Sequence, residues 1–132
     1  METEPDDLNV EEGPASGTFE NLRVWQDAVE LAVLVHTTYR SCPDFDLRAQ
    51  VKRAALSVSS NIAEGYERSS NSEFVRYLDI ARGSCGEVRS QTHVAVRVGL
   101  LSQAEANVLL MASRELSMRI ARLMQVRRER FG

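Results

Sequence analysis

Cysteine, proline and glycine are scarce, with two, three and seven residues in a chain of 132. Cys42 and Cys85 stand far apart, with no Cys-x-x-Cys pair and no Cys/His cluster, which argues against a disulfide framework and against a zinc site. No signal-peptide pattern is present, so reduced thiols in a cytoplasmic protein are expected. Cys85 reads as a small buried hydrophobe, whereas Cys42, in a loop before Pro43, reads as an exposed thiol. Aromatic residues make up 6%, too few, together with so few turn formers, for a β-rich domain. The longest aliphatic run, Leu31 to Val35, falls far short of the roughly 20 residues that span a bilayer, so no membrane segment is expected. Lysine is nearly missing as well: Lys52 stands alone beside fifteen arginines.

What is present is sorted along the chain. Glu2, Glu4, Asp6, Asp7, Glu11 and Glu12 fall in residues 1–17, which hold no Lys or Arg. Setting those six acids aside turns the formal net charge of −3 into +3 for residues 18–132, sixteen cations against thirteen anions. The acidic stretch has too few hydrophobic residues to offset the entropy of ordering, so residues 1–17 are expected to form a flexible acidic tail ahead of one domain over 18–132.

After Phe19 the apolar residues recur at the spacing of a helical face. Val24, Ala28, Leu31, Ala32, Val35 and Tyr39 mark a first helix, ended by Ser41-Cys42-Pro43-Asp44, where Pro disfavours the helical conformation of its predecessor. Leu47, Val51, Ala54, Ala55, Val58 and Ile62 mark a second helix over about 46–64, capped by Asp44 or Asp46, with Gly65 as its terminator. Ser70-Asn71-Ser72-Glu73 is a capping box that opens a third helix, with Phe74, Leu78, Ala81, Cys85, Val88, Thr92 and Ala95 inward and Gly99 at its end. Ser102-Gln103-Ala104-Glu105 repeats the box before a fourth helix through Ala106, Leu109, Leu110, Ser113, Leu116, Ile120, Leu123 and Met124 to about 128. Four long helices on short connections predict an all-α, antiparallel up-down-up-down four-helix bundle.

A polar line runs beside the core of the second helix: Arg53, Ser57, Asn61, Glu64 and Arg68. The third helix offers Glu73, Arg76, Ile80, Gly83, Ser84 and Glu87 in answer. A hairpin turning near 68–69 sets Ser57 against Ile80, and Arg53 against Ser84 and Glu87. It predicts an Arg53–Glu87 pair, Glu64 paired with Arg68 or Arg76, and Asn61 bonded between them, a structural polar network that fixes register. Gly83, costly in mid-helix, is expected to have a packing reason. Trp25, Val29, Val33 and Leu34 extend the apolar coverage of the first helix beyond one buried face and predict a self-association surface. Arg119, Arg122, Arg127, Arg128 and Arg130 are candidate nucleic-acid contacts, although a helix C-terminus favours positive charge without any ligand.

Catalytic signals are weak. His36 and His93 have no ligand partners at metal-binding spacing, Met111, Met118 and Met124 are more simply packing residues than haem ligands, and no phosphate-cradling glycine loop or nucleophile elbow occurs. No metal, no cofactor and no enzymatic activity are expected. The competing reading is a small-molecule binder or enzyme with an inter-subunit pocket around Asn61 and Glu64, with Arg53 and Glu87 beside them.

Three stretches carry a family likeness: Phe19-Glu20-Asn21-Leu22-Arg23-Val24-Trp25-Gln26; Lys52 to Arg68, containing Ser57-Val58-Ser59-Ser60-Asn61-Ile62-Ala63-Glu64-Gly65; and Glu73-Phe74 with Ile80-Ala81-Arg82-Gly83-Ser84 and Glu87. Over roughly 19–124 the chain resembles the bacterial four-helix-bundle proteins associated with intervening sequences in large-subunit ribosomal RNA. The resemblance implies an up-down bundle assembled as a homopentamer, without established catalysis. It extends to the accessory variability proteins of diversity-generating retroelements, whose strongly basic ring binds nucleic acid and a reverse transcriptase. This chain departs from that branch in its single Lys and its modest charge. The expected function is therefore a non-enzymatic homo-oligomeric scaffold or adaptor that docks RNA, DNA or a nucleic-acid-associated protein.

Overall fold

A computed structural model describes residues 17–131 of the chain. The expected acidic tail lies, apart from Gly17, outside the described residues. A short 3-10 turn, Phe19–Asn21, leads into four helices: α1 (Arg23–Thr38), α2 (Phe45–Tyr66), α3 (Asn71–Arg97) and α4 (Gln103–Phe131). Each runs antiparallel to its sequence neighbour, and α1 closes the bundle by packing against both α2 and α4. The described residues contain no strand, and no helix among them is long and apolar enough to cross a membrane.

The helix ends follow from local chemistry. Asp44 caps α2, its Oδ1 accepting from the Leu47 N–H at 3.0 Å. Ser70 caps α3 through the Glu73 N–H at 3.2 Å. At α4 the box is complete: Ser102 Oγ accepts from the Glu105 N–H at 3.0 Å, and Glu105 Oε1 accepts from the Ser102 N–H at 2.9 Å. Helix α3 ends in a Schellman turn, with Gly99 at φ +82 and the Leu100 N–H bonded back to the Ala95 carbonyl at 2.8 Å. Helix α1 has no side-chain cap; instead Phe19 folds over Trp25, ring centroids 5.2 Å apart, and Gln26 donates to the Glu20 carbonyl at 2.8 Å.

The core is the set of inward stripes, with Ala28, Val35, Val51, Val58, Ile62, Leu78, Cys85, Val88, Leu109 and Ile120 fully buried. Two buried polar side chains satisfy each other across it, Tyr39 Oη and Thr92 Oγ1 at 3.0 Å. Burial raises the pKa of both the Tyr39 hydroxyl and the Cys85 thiol, against the lowering effect of their hydrogen bonds. Cys42 is also buried, at 4% exposure, so the exposed-thiol expectation is corrected: the turn after α1 folds inward, and Arg48 Nη1 pins it by donating to the Cys42 carbonyl at 2.9 Å.

Two glycines differ from expectation. Gly65 does not terminate α2, which runs on to Tyr66; it lies at a close approach of α2 to α3, where a Cβ would stand 2.5 Å from Tyr77 Cβ and 3.2 Å from the Phe74 ring. Gly83 is the reverse: it is exposed, and an added Cβ would meet nothing within 4 Å, so no neighbour within the chain offsets its cost of about 1 kcal/mol relative to Ala.

Gly65→Ala is expected to destabilise the fold by about 1–3 kcal/mol through overpacking, read as a lower urea midpoint. The raised pKa values give a second test. The unfolded chain ionises the thiol and the phenol at their ordinary values of 9.0 and 10.0, before the folded one does. The stabilising contribution is complete below those values and falls as pH rises past about 9. The urea midpoint should be level up to that pH and then decline, and Cys85→Ala should lower the plateau while removing the first stage of the decline.

Candidate functional site

The signature segment of α2 faces α3, but one helical turn away from the predicted register. Ser57 Oγ meets Ser84 Oγ at 2.9 Å, not Ile80, because the Gly65 contact with Tyr77 slides α3 along α2. Asn61 Nδ2 turns back within α2, donating to the Ser57 carbonyl at 2.8 Å and to Ser57 Oγ at 2.9 Å. The three side chains form one chain of hydrogen bonds at the seam, half-buried or buried.

The charged members sit outside that chain of bonds. Glu64 Oε2 pairs with Arg68 Nη2 at 3.1 Å within the α2 end, and Glu73 Oε1 with Arg76 Nη2 at 3.1 Å within α3. Arg53 and Glu87 are both exposed, and among the described residues no ion pair joins them; the predicted Arg53–Glu87 bridge is corrected. At a solvated edge, holding two long side chains in one geometry costs about as much as the pair gains. Asn61 likewise does not bridge Glu64 to an arginine.

Aromatic rings organise the cations at this end of the bundle, a feature that reading charges alone had missed. The guanidinium groups of Arg68 and Arg76 lie over the Tyr77 ring at 5.1 and 4.7 Å. Arg68 also donates to Tyr77 Oη at 2.7 Å. That bond chiefly raises the Arg68 pKa, and the bond to Glu73 does so for Arg76. Arg127 is held between Phe74 and Phe131, 4.9 and 4.5 Å from their centroids. Its Nε donates to Asn71 Oδ1 at 2.8 Å, while Asn71 Nδ2 donates to the Arg127 carbonyl at 3.2 Å. The i, i+4 spacing of Arg127 and Phe131 was the available signal. Of the other candidate nucleic-acid contacts, Arg119 reaches Asp27 at 3.7 Å across to α1, Arg122 is half-buried, and Arg128 and Arg130 are exposed.

Farther along the bundle, Arg89 Nη1 bolts α3 to α4 through Ser117 Oγ at 2.9 Å and Ser113 Oγ at 3.2 Å. Ser113 in turn donates to the Cys85 carbonyl at 2.9 Å.

Trp25, Val29, Val33 and Leu34 do not form a single patch. Trp25 is half-covered by Phe19. Val29 and Val33 line a groove of about 370 Å³ between α1 and α2, with Ala32 and Leu56 as its other apolar walls. Leu34, 100° further round the helix, lines a different groove of about 330 Å³ between α1 and α4, with Arg23, Asp27, Glu30 and Arg119. A third hollow of about 470 Å³ touches Phe19, Ser60, Glu64 and Arg68.

With this geometry in place, the match to known proteins is direct. The profile of the 23S rRNA-intervening sequence protein family covers residues 20–122. The chain belongs to that family. The family match begins within the 3-10 turn and runs through α1 to α3 and most of α4, so it takes in the Ser57–Asn61–Ser84 seam and stops before Arg127. Among solved structures, the chain is similar to a protein of unknown function from the S23 ribosomal protein family of Bacteroides thetaiotaomicron. The TM-score is 0.72 at 19% identity, over 77% of this chain and 95% of that one; the likeness is one of fold. No curated protein matches the chain.

Arg127→Ala is expected to lower stability by about 1–3 kcal/mol, since it removes a charge-assisted bond and two ring contacts together. Arg127→Lys should recover little of it, because an ammonium neither stacks between two rings nor presents the planar fork that Asn71 meets. Thermal unfolding of the two variants checks this.

Proposed function

We propose that the chain is a non-enzymatic, homo-oligomeric scaffold, a pentamer as the family resemblance implies, that docks RNA, DNA or a nucleic-acid-associated protein in the cytoplasm. The observation that carries self-association is the apolar α1/α2 groove, flanked by Val33 at 54% and Leu56 at 57% exposure. Two branched aliphatic side chains beside an apolar groove form the kind of surface that a partner covers.

The docking arm rests on the arginine-bearing end, where Arg68, Arg76, Arg128 and Arg130 are exposed. One copy offers little there, because Glu64 already engages Arg68 and Glu73 engages Arg76. Assembly supplies what a single copy lacks: repeating a modest site around a ring turns later contacts into intramolecular ones. The family description, a 23S rRNA-intervening sequence protein, names the class of macromolecule with which such an end is compatible. The small-molecule alternative around Asn61 and Glu64 has weaker support, since the Asn61 amide nitrogen is already used within α2.

Sedimentation velocity at micromolar concentration, with and without a structured RNA, tests both arms. An assembly of several copies is expected, together with RNA binding that weakens steeply between about 50 and 200 mM salt. A monomer would overturn the scaffold reading. Absence of binding, or binding indifferent to salt, would overturn the nucleic-acid arm alone.

A further inference from the structure

Arg89 is held in place by its neighbours but not neutralised by them. It is half-buried between α3 and α4, and only its Nη1 is bonded, to Ser117 Oγ at 2.9 Å, Ser113 Oγ at 3.2 Å and the Ser113 carbonyl at 3.3 Å. All three acceptors are uncharged. Among the described residues neither Nε nor Nη2 has an acceptor, and no carboxylate pairs with the group. A partly desolvated charge without a counter-ion is costly, and a neutral donor could bond the two serines equally well. The bonds fix the guanidinium plane and leave its Nε–Nη2 edge as a preset fork, the shape that meets two oxygens of an anion.

That edge borders a hollow. Nη2 stands beside Gly86, 3.8 Å from where a Cβ there would lie, and a Cβ at Gly83 would meet nothing within 4 Å. With Ser117, Met118 and Ala121 the two glycines line a trough of about 580 Å³, in the size range of small-molecule sites. Glycines in mid-helix weaken a helix, and no contact within the chain accounts for Gly83; room for a ligand does. Arg82, four residues before Gly86, is a second cation on the same wall. Its partner Asp79, at 3.3 Å, is the one acid among the described residues that lines the trough. With side chains 46% and 59% exposed, that pair is solvated and weak, so Arg82 can exchange it for another anion at little cost. Asp79 itself stands ten residues from Arg89, about 15 Å along α3. Across the trough Met118, at 65% exposure, and Ala121 make the α4 wall apolar.

We propose that this trough binds a small phosphomonoester, its phosphoryl oxygens on the free edge of Arg89 with Arg82 closing over them, its organic part against Met118 and Ala121 above the bare backbone of Gly83. Two arginines suit the near-dianionic charge of a phosphomonoester at neutral pH. A carboxylate would offer Arg82 no more than Asp79 already does. The site lies apart from the arginine-bearing end and rests on neither arm of the function proposed above.

Calorimetric titration of the full chain with adenosine monophosphate, adenosine and a short oligoribonucleotide with hydroxyl ends tests the assignment. The monophosphate is expected to bind once per chain and adenosine not measurably. Gly83→Leu, which fills the hollow without touching a donor, and Arg82→Gln, which removes a cation bonded only to a surface acid, should each weaken the monophosphate at least about tenfold, the factor that one charge-assisted bond supplies. Asp79→Asn should strengthen it by freeing Arg82. Arg89→Gln should abolish binding, and thermal unfolding separates that effect from loss of the α3–α4 bolt. The oligoribonucleotide, which carries only phosphodiesters, should not displace the monophosphate; displacement would assign the trough to a nucleic-acid surface and overturn the monoester reading. So would an absence of monophosphate binding, equal binding of adenosine, or affinity unchanged in both Gly83→Leu and Arg82→Gln.

Discussion

The bundle depends on one close approach, the absent side chain of Gly65 against the backbone-proximal atoms of Tyr77 and the ring of Phe74. Where two helices touch without an intervening side chain, their separation and their register are set together, because sliding either one brings a Cβ into contact. That contact carries α3 one turn along α2 and decides that Ser57 meets Ser84. The rest of the seam adapts: Asn61 finds its acceptors in its own helix, and the charges near it are left to local partners. A polar line that resembles a binding site in the sequence becomes, in the fold, mostly a means of satisfying polar groups beside a tight helix pair.

A second constraint acts at the same end. Arginine predominates among the cations, and the structure uses its flat guanidinium where an ammonium would not serve: stacked over Tyr77, layered between Phe74 and Phe131, and bonded to Asn71. The Arg127 contacts with Phe74 and Asn71 tie the last turns of α4 to the first turn of α3. They also mean that the basic look of the end overstates the charge it offers to a polyanion.

Much of the fold was legible in the sequence. The 3–4 spacing of apolar residues, the two serine capping boxes and Gly99 each rest on interactions within a few residues, and such interactions are written in the order of the chain. The four helices, their inward stripes and their antiparallel order follow from them. Local pattern was misleading where a residue had two uses: Gly65 has the character of a helix terminator and serves as a point of close approach, and Cys42 has the setting of a loop thiol and lies buried.

Periodicity and capping by themselves determined the all-α class, the number of helices and the core. Only the tertiary structure decided the register of α2 on α3, the lack of an Arg53–Glu87 bridge, the aromatic stacking of the arginines and the division of the α1 surplus between two grooves. The physical reason is range. Capping and amphipathicity act over a single turn, whereas register and groove lining are set by which surfaces meet across the bundle, and at Gly65 a Cβ would come within 2.5 Å of Tyr77 Cβ.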